Sequence, residues 1–389
     1  MIKYIFYALT ASLVLLYVFV KLKFRFWSSQ PVFHIYNLRY WLFPPGLLQH
    51  DMPPKTTYYS SAIECDTFDK ISTEKKALMC SLIKSHFLYR RKARYAPTTS
   101  SILNYFKYHT SKPFISLNFR YISEIFQGNQ RFTKQLISCM SSRTLYGHLH
   151  DRKIQVSYVD FLCVHKKHRK KGVAPVQIYT HYYKSREKGA DPIFLFKREG
   201  NVNFMVPVTI YYAYAISTKK WDKPNTDLPN NISCHIITDS NVQLLIHYLE
   251  DIRQNFSCFI IPELSNLQNL IRRSLIIPLL ILDDNTPVGA YFYRCPHTVY
   301  SGKQSIECVA SYCKKGYEDI LKCSFRNTIA LLKRKYKFSI VIIENISNNH
   351  IIIKGILKRD TPKWTCPMAY YFYNFAYRPF FSPNVFILN

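Results

Sequence analysis

The segment from Ile154 to Lys188 constrains the fold of this chain more than any other. Residues 154–164, IQVSYVDFLCV, alternate with the period-two pattern of a strand. HKKHRKKGVAP follows, and a helix is predicted from about Pro175 to Lys188. A strand that feeds a glycine-bearing turn and then a helix aims several backbone N–H groups, and the positive end of the helix dipole, at one point. Arg169, Gly172 and Ala174 keep the spacing R-x-x-G-x-A, with Lys170, Lys171, Val173 and Pro175 completing the turn. Gly172 lets the backbone approach a pyrophosphate closely, and Ala174 removes bulk at the helix start. A solvated basic loop or a nuclear-localisation run would satisfy KKHRKK as well, because short motifs often match by chance.

Positive charge is not confined to that turn. The chain has 389 residues, with 53 Lys and Arg against 24 Asp and Glu, a formal net charge of +29. Its 48% hydrophobic and 20% charged content excludes a disordered chain, and a count of 10 Gly excludes collagen-like and Gly-rich classes. Nucleic acid, an acidic membrane and a phosphate-bearing ligand all remain compatible with such a charge. No nucleic-acid-binding motif is present, so that partner ranks last.

Tyr4 to Val20 is an uncharged run, YIFYALTASLVLLYVFV, at the short end of what spans a bilayer as a helix. Lys3 precedes it, and Lys21, Lys23 and Arg25 follow. The positive-inside rule then puts the main domain in the cytosol, on a single-pass anchor. A cleaved secretory signal would show a small-x-small site after the run, and none follows. A buried core helix would carry a polar face, and this one is apolar all round. The 11 cysteines are odd in number and scattered without a CxxC pair, which fits reduced thiols in the cytosol. No His/Cys grouping has zinc spacing, so no metal is expected.

Beyond the anchor and its flank (1–23), residues 24–60 read as an extended, Pro- and aromatic-rich arm. A helix is predicted over Lys75–Leu88, followed by a basic loop, Tyr89-Arg90-Arg91-Lys92-Ala93-Arg94. Helices are predicted over Val242–Asn255 and Glu263–Ser274. Strands over Ile276–Leu282 and Val288–Tyr293 flank a DDNTP turn, and a strand (Ile306–Cys313), a helix (Tyr317–Tyr336) and a strand (Phe338–Ile343) come next. Each half thus runs strand, turn, helix, strand. The fold class is α/β (α+β), with two related units in tandem over 61–225 and 226–389.

With these residues in view, the chain resembles the eukaryotic N-myristoyltransferase family. Asp160-Phe161-Leu162-Cys163-Val164-His165-Lys166-Lys167, with Arg169 and Val173-Ala174-Pro175, is close to the family's signature. Phe26-Trp27-Ser28-Ser29-Gln30-Pro31-Val32 is similar to its N-terminal arm, and Tyr370-Tyr371-Phe372-Tyr373-Asn374-Phe375 to a strand near its end. The resemblance implies two fused acetyltransferase-like halves, the first binding myristoyl-CoA and the second forming a groove for peptides with an N-terminal glycine. It implies that the backbone amides of Phe161 and Leu162, next to Asp160, stabilise an oxyanion and that the carboxylate on Asn389 acts as base. Arg169, Lys170, Lys171, Gly172, Val173, Ala174 and Pro175 would hold the CoA phosphates, with Phe26 and Trp27 covering the cofactor. Tyr211, Tyr212, Arg91 and Arg94 would face the acceptor peptide.

The departures concern the peptide side. Asp160 stands where the family has Asn. Phe196-Lys197-Arg198-Glu199-Gly200 lacks the family's threonine, and Tyr211-Tyr212-Ala213-Tyr214 lacks its histidine and arginine. An acidic family loop becomes the run from Arg90 to Arg94. The leading function is therefore myristoyl transfer to N-terminal glycines at a membrane, and the alternative is a catalytically inactive acyl-CoA-fold interaction module. Because the loop charge is inverted, basic residues downstream of the acceptor glycine are expected not to improve turnover. A peptide array scored for acyl transfer checks this, and a basic preference would contradict it.

Overall fold

The structure, a computed structural model, describes residues 2–43, 45–90, 93–126, 129–200, 204–221 and 228–389. Helix α1 (Ile2–Lys23) leads into an arm that is less extended than its composition suggests. The arm makes a 3-10 turn at Trp27–Ser29 and a short helix α2 (Leu38–Leu42). It then wraps the body. Val32 bridges Tyr373, His34 bridges Met205, and Gly46–Leu47 pairs with Phe375–Ala376. Arg186 fastens it further by donating to the carbonyls of Gln49, His50 and Asp51.

The first half contains α3 (Thr73–His86), a meander of β1 (Phe114–Phe126), β2 (Asn129–Leu149) and β3 (Arg152–Val164), then α4 (Val173–Glu187), β4 (Phe194–Glu199) and β5 (Thr209–Ser217). The second begins with β6 (Ile232–Ile236) and β7 (Cys258–Pro262). It continues through a meander of β8 (Ile276–Asp283), β9 (Thr286–Arg294) and β10 (Lys303–Cys313), then α5 (Glu318–Lys335) and β11 (Ile340–Glu344). It ends with α6 (Asn349–Ile356), β12 (Trp364–Tyr373) and β13 (Val385–Ile387). In each half the strand after the long helix pairs parallel with the third strand of the meander, β3 with β4 and β10 with β11. The tandem α/β architecture expected from sequence is present.

Local chemistry accounts for the elements. Gly172, at φ 75°, starts α4 because its left-handed conformation suits a residue without Cβ. Asp284 and Asn285, at φ 43° and 68°, form the two-residue turn that twists β8 and β9 into register. β8 is buried except at Asp283, so its apolar run has both faces covered. The basic run read as a loop folds instead as two short strands, Tyr89–Arg90 and Ala93–Tyr95, and the second pairs with Thr298–Tyr300. The edge of Thr298–Tyr300 supplies hydrogen-bond partners for it.

Strand pairing joins the halves at several seams, among them β5 with β11. β12, from near the C-terminus, lies between β4 and β5. β7 pairs antiparallel with the end of β2 and parallel with β13. At the β2–β7 seam a Cβ on Gly147 would lie 1.9 Å from the Phe259 carbonyl oxygen, so only glycine lets the backbones meet. Gly147→Ala is expected to destabilise the body by about 3 kcal/mol, the upper range for overpacking. Thermal unfolding measures it, and an unchanged midpoint would show that the seam tolerates a side chain.

Candidate active site

Strand β3 carries a bulge at the centre of the first half. Ser142 pairs with Val159 and Ser141 with Phe161, so Asp160 is the extra residue without a partner. β3 and β4 pair only at Ser157–Phe194 and Tyr158–Leu195. Past these residues the strands diverge and leave a cavity of about 350 Å³, lined by Trp27, Val159, Leu162, Phe196 and Tyr373 with Asp160 at its edge. A second, polar chamber of about 280 Å³ is lined by Tyr158, Phe161, Arg294, Glu307 and Asn389. Phe87, Val159, Asp160 and Lys197 line both, so the bulge stands at the junction of an apolar and a polar compartment.

The charges at this junction are paired and buried. Arg143, whose side chain is 0% exposed, meets Asp160 at 3.0 Å and donates to Oδ1 of Asn266 at 3.3 Å. Burial raises the Asp160 carboxyl above its ordinary value, and Arg143 offsets only part of that. In the polar chamber Arg294 pairs with Glu307 at 2.6 Å and donates to the Oδ1 and backbone oxygen of Asn389 at 2.8 and 3.2 Å. Burial pushes Glu307 up, but Arg294 and then Lys197 more than offset it, and the carboxyl titrates below its usual value. Lys197 meets Glu344 at 2.5 Å, and the Tyr211 hydroxyl donates to the same carboxylate at 2.7 Å.

Asn389 reaches the chamber because the chain end does not fray. β13 runs parallel to β7, Leu388 N–H donates to the Ile260 carbonyl at 2.9 Å, and Asn389 is buried. The Asn389 amide also donates to the Tyr158 hydroxyl.

The turn before α4 presents bare backbone. No side chain caps the helix and its first turn holds no acid, so nothing neutralises the dipole there. Lys170, at φ 60°, and the exposed Lys171 and Gly172 border it. The guanidinium of Arg169 donates to the carbonyls of Val164 and His86, bracing the turn. His181, in α4, fixes the helix over the bulge through the hydroxyls of Ser116 and Ser142, at 2.8 and 2.9 Å.

The second half shows what closure looks like. The equivalent bulge falls between Tyr293–Cys308 and Phe292–Ala310, but the following cleft is stitched shut. Ser347 Oγ accepts from Ser311 N–H and Asn348 Oδ1 from Cys313 N–H, while the Asn349 amide donates to the Cys308 and Glu344 carbonyls. Ahead of α5, Glu318 accepts from Gly316 N–H, and Glu318 and Asp319 occupy the first turn. Those carboxylates repel a phosphate. Of the two clefts, the first alone is open.

Other residues singled out from sequence fall in different places. Phe26 is buried against Trp27 and Tyr58, and Trp27 stacks on Phe196 at 5.6 Å. Phe161 and Val173 are core residues, so their backbone alone can serve the site. Ala174 and Pro175 lie in the first turn of α4. Tyr211 is buried behind Glu344, whereas the next residue, Tyr212, is 48% exposed on the other face of β5. Arg94 is exposed on its short strand, and Arg91 lies outside the described residues. Arg143, Arg294, Glu307 and Glu344 escaped the sequence reading; a lone charge within an otherwise apolar strand was a usable signal for Arg294 and Glu344 only.

Residues 54–185 match the family model of the N-terminal domain of myristoyl-CoA:protein N-myristoyltransferase. Glycylpeptide N-tetradecanoyltransferase 1 of Arabidopsis thaliana is 26% identical over 163 residues, which is 40% of this chain and 35% of that relative's own length. Two structures of Saccharomyces cerevisiae N-myristoyltransferase with bound myristoyl-CoA share the fold, with TM-scores of 0.69 and 0.68 at 12% identity. The likeness covers 94% of this chain in both, and 99% and 94% of theirs.

Removing one partner of a buried ion pair strands the other charge, at about 3–5 kcal/mol. Arg143→Met is expected to destabilise the body by that amount, and Asp160→Asn alone to strand Arg143 in the same way. The combined variant is expected to lose less than the two single losses added, because neither charge is left alone. A double-mutant cycle by thermal unfolding measures this, and additive losses would show that the pair is uncoupled.

Proposed function

We propose that this chain, which belongs with the N-myristoyltransferase family through residues 54–185 and through its fold, transfers a myristoyl group from myristoyl-CoA to an N-terminal glycine amine. The observation that carries this reading is the junction at Asp160 between an apolar cavity and a polar chamber containing Asn389. The apolar cavity lies within the roughly 300–1,000 Å³ of small-molecule sites, and its walls suit an acyl chain. The uncapped start of α4, with Lys170, Lys171 and Gly172, would hold the CoA phosphates, and Trp27 would close over the bound molecule. At the bulge the amides of Phe161 and Leu162 would stabilise charge developing on the thioester oxygen. The glycine ammonium would lose a proton to the Asn389 carboxylate, whose oxygen accepts from Arg294, while the Asn389 side chain is held by Tyr158.

α1 serves as the membrane anchor in this reading. Lys3–Lys23 is long and apolar enough to cross a bilayer, with 6% of the span buried, and Lys21, Lys23 and Arg25 put the body on the cytosolic side. Lys197 and Arg294 both line the polar chamber, but Glu344 and Glu307 pair with them, so these cations do not by themselves oppose an incoming ammonium. The inactive alternative rests on the sequence departures of the peptide side.

The test uses the full chain in detergent or vesicles with labelled myristoyl-CoA and glycine-starting peptides. Transfer is expected, and removal of Leu388 and Asn389 is expected to reduce it by about 10²–10⁴-fold while acyl-CoA binding persists. Unchanged transfer in the shortened chain would exclude the terminal carboxylate as base. Binding without transfer by the intact chain would favour the inactive module.

A further inference from the structure

The surface beside the end of α1 is apolar, and none of the described residues covers it. α1 stays exposed through Phe19, at 52%, and burial begins abruptly at Val20, at 7%. From there the helix is fused to the body without a free linker. Phe24 and Ser28 N–H groups continue the helical hydrogen bonds, Lys21 Nζ donates to the Ser28 carbonyl, and the Phe24 ring lies 4.3 Å from that of Phe204. The Tyr17 ring lies 5.7 Å from that of Tyr36, which brings the segment after Tyr36 level with the last turns of α1.

That segment contains α2. Ile35, Leu38, Leu42 and Phe43 are 46%, 68%, 76% and 61% exposed, and no residue of α2 is buried. The display is rigid, not a loose loop. Trp41 packs 5.1 Å from Phe33 and donates to the Ile35 carbonyl, and Arg378 donates to the Trp41 carbonyl. Arg39 within α2, and Lys23 and Arg25 at the end of α1, are exposed. Exposed apolar side chains with Trp and Tyr at the margin and cations around them have the composition of a segment seated at the headgroup level.

We propose that residues 35–43 form an interfacial foot, seated in the headgroup layer of the bilayer that α1 crosses. The occupant is a phospholipid surface with anionic character, because the patch is continuous with a bilayer-length helix and flanked by positive charge. The foot and the fused end of α1 give two points of contact, and two points fix the tilt of the body where one would leave it free. Trp27, four residues past the end of α1 and eight before Ile35, is a wall of the apolar cavity, so that cavity is held near the membrane surface. The inference rests on the reading of α1 as an anchor.

The test puts the full chain into vesicles of phosphatidylcholine and phosphatidylserine, with bromine on the acyl chains near the headgroups. Tryptophan quenching is compared with that of Trp41→Phe, and retention is measured after a carbonate wash. Retention with quenching that is lost in Trp41→Phe, and lost again in the Leu42→Asp, Phe43→Asp variant, supports foot and anchor together. Retention without a Trp41-dependent component overturns the foot and leaves the anchor standing. Release by carbonate with Trp41 quenched supports the foot and removes the anchor. A Trp41 shielded because two copies crosslink through this face overturns the lipid as occupant.

Discussion

The site depends on a single break in strand pairing. β3 must both belong to the central sheet and part from β4, and the bulge at Asp160 makes the two compatible. A bulge disrupts the ladder and adds local twist, so it needs support from below. Arg143 supplies it by pairing with Asp160 and bonding Asn266, which ties the bulge to the helix Leu264–Arg272 of the other half. His181 adds a second tie through Ser142, the residue at the slip in register. Move the bulge, and the cavity, the chamber and the turn before α4 lose their common centre.

The asymmetry between the two halves follows from small polar differences. Both have a meander, a bulge and a helix followed by a parallel strand. In the second half Ser347, Asn348 and Asn349 satisfy the backbone that divergence would expose, and Glu318 caps the turn before α5. Buried backbone polar groups need partners, so a cleft must be filled by the chain or by something bound to it. The second half provides that filling from its own side chains, whereas the first leaves its cleft open.

Much of this was legible along the chain. The alternation over Ile154–Val164, the Gly172 turn and the hairpin at Asp284–Asn285 are governed by neighbours a few residues apart, where backbone conformation is set by steric and hydrogen-bonding rules. The arm and the Arg90–Arg94 run were read less well. Their conformations are imposed by strands far away in sequence, Tyr373 and Met205 for the arm and Thr298–Tyr300 for the run. Arg169 shows the same limit. Its R-x-x-G-x-A spacing does not specify its partners, and the carbonyls of Val164 and His86 decide where its guanidinium points.

The sequence by itself determined the α/β grammar of two tandem units, the apolar α1 with its basic flank, and the glycine-capped helix start, because each is a property of local periodicity and charge. Only the tertiary structure decided which cleft stays open, that Asp160 has Arg143 beneath it, and that Asn389 lies against Arg294 and Tyr158. Those juxtapositions join residues 17, 95 and 231 positions apart. Nothing local specifies such meetings, which come from packing the sheet's seams into one body.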